Sequence, residues 1–400
     1  MALKNKCLIS IKLMGKYIYI SIRRNLLYVL NLIIHYYLRK VVLVIITANY
    51  KFSSSLIFTF LMLLGEFCGG LSLHIYNSYF LKEQKKEKSW FKIKLIDIQK
   101  GIIKPPDNII KRYLLIFFAT FFDFVEFIIA TFYMPRFPII SPTAEYRFGG
   151  IIIIIGALLC YYNLKMSIKK HHLVSLITMS ICLIIIIILE IMYRGRAAPL
   201  GEFFFAQLVV LGYLLFVPFT DIIEKYLIEF NFMSPYFILL LESIFGFIFI
   251  SIYSNWEDPF EDTKRLYKEC STGDFILLLF LFFLYFAFSA GVNIYKIITN
   301  GLYSPMTKTL AVYILNPLIY TYYFIEETDF IVDKERNWFY FLTNIIIAII
   351  ISFFACVFNE FIVLKFCGLD YETHHEITQR AISSNEDSLR IMNDLDSTGE

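Results

Sequence analysis

The stretch IIEKYLIEFNFMSPYFILLLESIFGFIF, residues 222–249, holds the two signals that decide the fold. Residues 235–253 are apolar for about the 20 positions that a helix needs to cross a ~30 Å hydrocarbon core. In their midst stands Glu242, a carboxylate that costs at least ~2.5 kcal/mol at the centre of a membrane helix and is rarely left facing lipid. Such an acid belongs against other helices or a polar cavity, so this one segment implies a membrane-embedded bundle. Ahead of it, the polar turn that ends in Ser234 and Pro235 separates two helices.

The pattern repeats on both sides. Further apolar runs cover residues 55–76, 113–133, 149–164, 172–193, 200–223, 275–295, 309–325 and 338–364. Glu66, Asp123 and Glu126 stand inside them as Glu242 does. With 58% hydrophobic and only 18% charged residues, the 400-residue chain is no ordinary soluble domain, which carries about a quarter charged residues. A tenth run, residues 26–48, is interrupted by His35, Arg39 and Lys40, which makes it a doubtful first span. Ten spans with both termini cytoplasmic place most Lys and Arg inside, above all those of residues 1–25 and of the basic loop 82–112. The expected organisation is a basic N-terminal segment with the doubtful helix (1–50), a polytopic domain (51–366) and a polar cytoplasmic tail (367–400).

Within the basic loop, SWFKIKLIDIQKGII spaces its apolar residues as a helix lying on a membrane surface does, and a solvated connector is the competing reading. The seven cysteines show no paired spacing and read as small apolar residues. Five spans before Arg194 and five after would enter the membrane from opposite sides, the arithmetic of inverted repeats with a site at the midplane. No phosphate loop, zinc spacing or nucleophile elbow occurs.

Six segments in order carry a resemblance. In the opening stretch, Glu224, Lys225, Pro235, Glu242, Phe245 and Gly246 match a helix ending in an acidic-Lys cluster, a turn to Pro, and a helix with Glu and Phe-Gly. LMLLGEF with Glu66, FFDFVEF with Asp123, and EYRFGGIIIII with Arg147 precede it; SAGVNIYKIITNGLYSPMTKTL with Gly291, Lys296, Ser304 and Lys308, and VFNEFIVLKFCGL with Asn359 and Glu360, follow. Over residues ~50–368 the chain resembles the drug/metabolite transporter superfamily and is similar to the F-type, nucleotide-sugar-transporter-like members of solute carrier family 35. Val312 and Leu315 stand where that family tends to have Asp and Arg, and Lys308 where Arg is usual. The resemblance implies an all-α membrane protein of about ten transmembrane helices in two inverted five-helix repeats. It also implies a secondary transporter of a small-molecule substrate, with an endomembrane location (Golgi, vesicular or lysosomal), no enzyme activity, no cofactor and no nucleic acid. The expected associates are the lipid bilayer and a second copy in a homodimer.

Candidate substrate or proton-coupling residues are Glu66, Asp123, Glu126, Glu242, Arg147 and Lys296. Glu66 adjoins Gly65, Gly69 and Gly70, which allow close backbone approach. Asp123 and Glu126, three residues apart, share a helix face, and two carboxylates so close repel one another, which suits proton coupling. Arg147 and Lys296 sit near span ends, where long basic side chains snorkel to the interface. Glu224 and Glu360 read as boundary residues. His171, His172, His374 and His375 read as two solvated pairs, and no metal site is expected. Because the mid-depth charges are mainly acidic, a small cationic or zwitterionic metabolite is expected over a nucleotide sugar. A transferase or a non-transporting scaffold are the rival classes.

Overall fold

In a computed structural model, described for residues 18–20, 26–52, 54–76, 107–129, 148–193, 199–253, 264–265, 268, 271–315, 317–318, 334–365, 367–373 and 376, the chain is almost wholly helical. Among the described residues ten helices have defined bounds, in order: α1 (Leu26–Tyr50), α2 (Ser55–Ile75), α3 (Ile109–Ile128), α4 (Gly150–Asn163) and α5 (Lys170–Tyr193), then α6 (Leu200–Glu229), α7 (Pro235–Tyr253), α8 (Thr272–Leu302), α9 (Pro305–Tyr313) and α10 (Lys334–Phe358). Seven of these are long and apolar enough to cross a membrane, so the chain is a multi-pass membrane protein. α4 and α9 are shorter, and α3 carries Lys111, Arg112, Asp123 and Glu126 within its 20 residues.

The interrupted run is among the seven, as Leu27–Thr47. α1 packs along α8 and α9, with His35 facing α8 and Arg39 lying over a ring of α1 itself. The His35 ring fits against Gly291, where an added Cβ would come within 2.0 Å of it, and Arg39 lies over the Tyr36 ring. The run 338–364 is not one helix. α10 stops at Phe358, Glu360 turns at a φ of 58°, and β2 (Ile362–Leu364) pairs antiparallel with β1 (Ile18–Ile20). Val363 and Leu364 are buried there, which explains why their apolar character had read as span.

α5 illustrates the outward side. Ile177, Ile181, Ile184 and Ile188 are exposed, whereas Ser175, Met179, Cys182, Ile186 and Glu190 are buried on the other face. A helix apolar all round and more polar inside than outside fits a lipid surround. The Tyr340 hydroxyl donates to Glu190, joining α5 to α10.

Helix pairing places the centre of the bundle. α8 packs on α1 and α2, α3 on α6 and α7, α2 on α7, α5 on α10, and α4 on α5, α6 and α9. Close approach at α2 is made by glycine: a Cβ at Gly65 would stand 2.8 Å from the Phe286 carbonyl oxygen and one at Gly70 3.1 Å from the Leu240 nitrogen. One end of the bundle gathers the β1–β2 ladder, the contacts of Asp107 with Tyr226 and Asn231, and that of His171 with Glu360. Lys51 and Arg265 meet at the other end, where the Arg265 guanidinium donates to the Lys51 carbonyl at 2.8 Å.

Candidate functional site

Where α2, α3, α6, α7 and α8 converge, charged side chains meet in the interior. The Lys296 ammonium of α8 lies 3.5 Å from Asp123 of α3 and 3.4 Å from Glu224 and 4.0 Å from Asp221 of α6. Lys308, on the second turn of α9, reaches Asp221 at 2.7 Å. The Asn300 amide donates to the Glu224 carboxylate at 2.9 Å and to the Asp221 carbonyl at 2.7 Å, and the Asn293 amide to Glu66 at 3.2 Å. Pro218 lies one turn before Asp221 inside α6, where it removes a helical hydrogen bond. Beside it, the Thr220 hydroxyl donates to the Ala119 carbonyl of α3 at 3.2 Å.

Lys296 therefore does not snorkel. α8 continues to Leu302, and at 1.5 Å per residue its 31 residues span ~46 Å. Lys296 lies more than a turn inside that end, and three carboxylates draw it inward. Glu224 is likewise no boundary residue but 1% exposed, because α6 runs on to Glu229. Lys225, 2% exposed, donates to the carbonyls of Gly301 and Tyr303 at 3.0 and 2.8 Å and pairs with Glu229 at 2.7 Å. Those three acceptors match the three donors of an ammonium.

Two cavities adjoin this cluster. The smaller, about 20 Å³, is lined by Glu66, Thr120, Asp123, Thr220, Glu224, Glu242, Asn293 and Lys296, enough room for about one water. Glu66 and Glu242 are both buried, and one Glu242 oxygen has no hydrogen-bond partner among the described residues. The larger, about 250 Å³, lies between α1, α2, α3, α4, α6, α8 and α9. Its charged lining is Arg39, Lys40, Lys296 and Lys308 on one side of the count and Asp123 and Glu126 on the other. Asp123 opens to it, with a side chain 36% exposed against 1% for Asp221.

Around the larger cavity basic side chains outnumber acidic ones, although with Glu66, Asp221, Glu224 and Glu242 counted the interior charge remains mainly acidic. Arg39 and Lys40 line the same cavity because α1 is part of the bundle, and the basic side chains of α8 and α9 turn inward. Within the described residues, neither Arg39 nor Glu126 has a hydrogen bond or an ion pair. The Arg39 guanidinium lies over the Tyr36 ring, 5.5 Å from its centroid. Asp123 and Glu126 do share a cavity-facing side of α3, but Asp123 is tied to Lys296, so the two are not an isolated acid pair.

Arg147 lies outside the described residues, as do His374, His375 and the basic loop up to residue 106. His171 and His172 are not a solvated pair. His171 is 2% exposed and its Nε2 stands 3.4 Å from Glu360, a grouping brought together only when α5 meets the end of α10. Asp221, Asn293, Asn300, Lys308 and Arg39 were missed as site residues. The signal available for Asp221 and Lys308 was a charge beside or within an apolar run, near its edge.

The chain matches no known family model and no curated protein. Its likeness to the drug/metabolite transporters thus rests on the sequence motifs alone.

At the ladder end, Asp107 accepts from the Tyr226 hydroxyl at 2.6 Å, pairs with Lys111 at 3.0 Å, and its backbone N–H donates to Asn231 at 2.8 Å. The hydroxyl bond first, and then Lys111, hold the Asp107 carboxyl below the usual aspartate range.

Proposed function

We propose that the chain is a secondary transporter of the drug/metabolite type that moves a small zwitterionic metabolite through the larger cavity by alternating access. The observation that carries this reading is that a guanidinium, Arg39, and a carboxylate, Glu126, neither bonded among the described residues, line one interior cavity. Buried charge in a membrane is costly unless something compensates it. A solute with an anionic and a cationic group compensates both: a carboxylate or phosphate takes the fork of Arg39 beside Lys40, and an ammonium takes Glu126 beside Asp123.

The helix pairs support two inverted five-helix halves. Adding five to each helix of the first half turns the pair α1–α8 into α6–α3, α2–α8 into α7–α3, α1–α9 into α6–α4, and α4–α5 into α9–α10. Each of these packs, as do the self-paired α2–α7, α4–α9 and α5–α10. Glu66 and Glu242 then stand on corresponding helices at the midplane, where such transporters hold substrate and coupling ion. The small cavity between them is the proposed seat of proton coupling. The ladder end is cytoplasmic by the distribution of Lys and Arg.

The test is uptake by purified protein in liposomes over cationic, anionic and zwitterionic solutes, with and without a proton gradient. Saturable uptake of a zwitterion, lost in Arg39→Gln and Glu126→Gln, is the expected result. No uptake or counterflow of any class would leave a non-transporting membrane protein.

A further inference from the structure

We propose that His171, His172 and Glu360 form a binding site for a divalent transition-metal ion of the Zn²⁺ type at the ladder end of the bundle. The site is separate from the central cavities, and it stands or falls independently of transport. His171 and His172 open α5, and Glu360 follows the end of α10. One ligand atom from each residue lies within 4.8 Å of the others.

The spacing between His171 and Glu360 is the informative quantity. His171 Nε2 and Glu360 Oε1 are 3.4 Å apart, yet neither ring nitrogen of this 2%-exposed histidine has a hydrogen-bond partner among the described residues. An imidazole buried without partners forfeits the hydrogen bonds it had in water. Two ligand atoms each ~2.05 Å from a tetrahedral Zn²⁺ stand ~3.35 Å apart, which is the observed separation. His172 packs edge to face on His171 with ring centroids 4.1 Å apart. Its Nδ1 now accepts the Lys169 N–H at 3.2 Å, a hydrogen bond that coordination through that atom replaces.

The backbone also points to this site. Glu360 adopts a φ of 58°, a left-handed conformation that costs a non-glycine residue on the order of 1 kcal/mol or more. That turn, pinned by the β1–β2 ladder two residues later, aims the carboxylate at α5. A cavity of about 420 Å³, lined by His172, Glu360, Asn359 and Ser304 among others, leaves room for a fourth ligand from water. Two imidazoles and one carboxylate with an open position is a donor set that suits Zn²⁺ over Ca²⁺ or Mg²⁺, which favour oxygen. Lys169 Nζ stands 3.6 Å from the same Glu360 oxygen, so its ammonium competes with the metal. Bound metal would fasten the start of α5 to the end of α10.

The experiment is calorimetric titration of the full-length, chelator-stripped protein, purified without a polyhistidine tag, with ZnCl₂, and with CoCl₂ as a spectroscopic probe of tetrahedral coordination. One Zn²⁺ per chain is expected, with His171→Ala and Glu360→Gln each weakening it by about 100-fold or more, since even outer-shell partners are worth about 10–100-fold. Lys169→Gln is expected to tighten binding severalfold, a gain that a misfolded variant cannot mimic. Absence of stoichiometric binding, binding undiminished in His171→Ala, or weaker binding in Lys169→Gln would each overturn the proposal.

Discussion

Replacing Lys308 by Met tests whether the central charges hold the bundle together. Lys308 is 2.7 Å from Asp221, and Lys296 is 4.0 Å from the same carboxylate oxygen. At an effective dielectric of ~20, unit charges at those separations attract by about 6 and about 4 kcal/mol. Lys308→Met removes the larger attraction, while Lys296 keeps Asp221, 1% exposed, from being stranded. Breaking a buried pair costs ~3–5 kcal/mol, so the loss belongs at the low end, about 3 kcal/mol. Asp221→Asn in the same background removes the buried charge left with only its more distant partner, and keeps the shape. The double variant should therefore be more stable than the Lys308 single variant, with a coupling energy of about 1–3 kcal/mol. Reversible unfolding in mixed detergent micelles, fitted for the wild type, both single variants and the double, measures this. A coupling below about 0.5 kcal/mol would refute the idea that Asp221 and Lys308 act as a buried pair.

Gly65→Val should separate α2 from α8, because its Cβ alone would press to 2.8 Å against the rigid Phe286 carbonyl; thermal unfolding should record a loss of about 2 kcal/mol or more, and wild-type stability would contradict the packing. Tyr226→Phe removes the hydroxyl bond to Asp107, at a cost of about 1.5 kcal/mol at pH 7 for a bond to a charged group. The Asp107 carboxyl is held low in the folded state, so its contribution is present above the unfolded value near ~3.9 and is lost as pH falls through the folded value. The stability gap between wild type and Tyr226→Phe should hold from pH 7 to 5 and shrink only in strong acid; a gap that instead opens toward low pH has the wrong sign. Glu242→Gln keeps the shape and loses the titratable proton, so normal membrane abundance with uptake insensitive to a proton gradient is expected, and unchanged gradient-driven uptake would return Glu242 to a structural role. Tags in the 81–106 loop and after Glu400 should both be cytoplasmic by protease protection, and opposite sides would break the ten-crossing topology.

The membrane class and the place of most helices were legible in the sequence, because the cost of exposing backbone and charge to lipid is local and additive along the chain. Runs of apolar residues mark spans whatever they pack against, and Glu66, Asp123, Glu126 and Glu242 stood out as single violations. What an acid or a base faces is not local. The disposition of Lys296 depended on whether Asp123, Asp221 and Glu224 from two other helices would stand within 4.0 Å of it. Arg39 and Lys40 looked like faults in a doubtful span until α1 was seen packed on α8 with both side chains on a cavity wall. Residues 362–364 read as the end of a span, since a buried strand and a membrane helix both require apolar side chains, and only pairing with residues 18–20 tells them apart. His171 and Glu360 lie 189 positions apart in sequence and 3.4 Å apart in space. The sequence by itself determined that the chain crosses a membrane and where most of its long apolar helices lie; the tertiary structure alone decided which charges meet there, because hydrophobic burial is indifferent to partner while a buried charge is governed by its nearest neighbours.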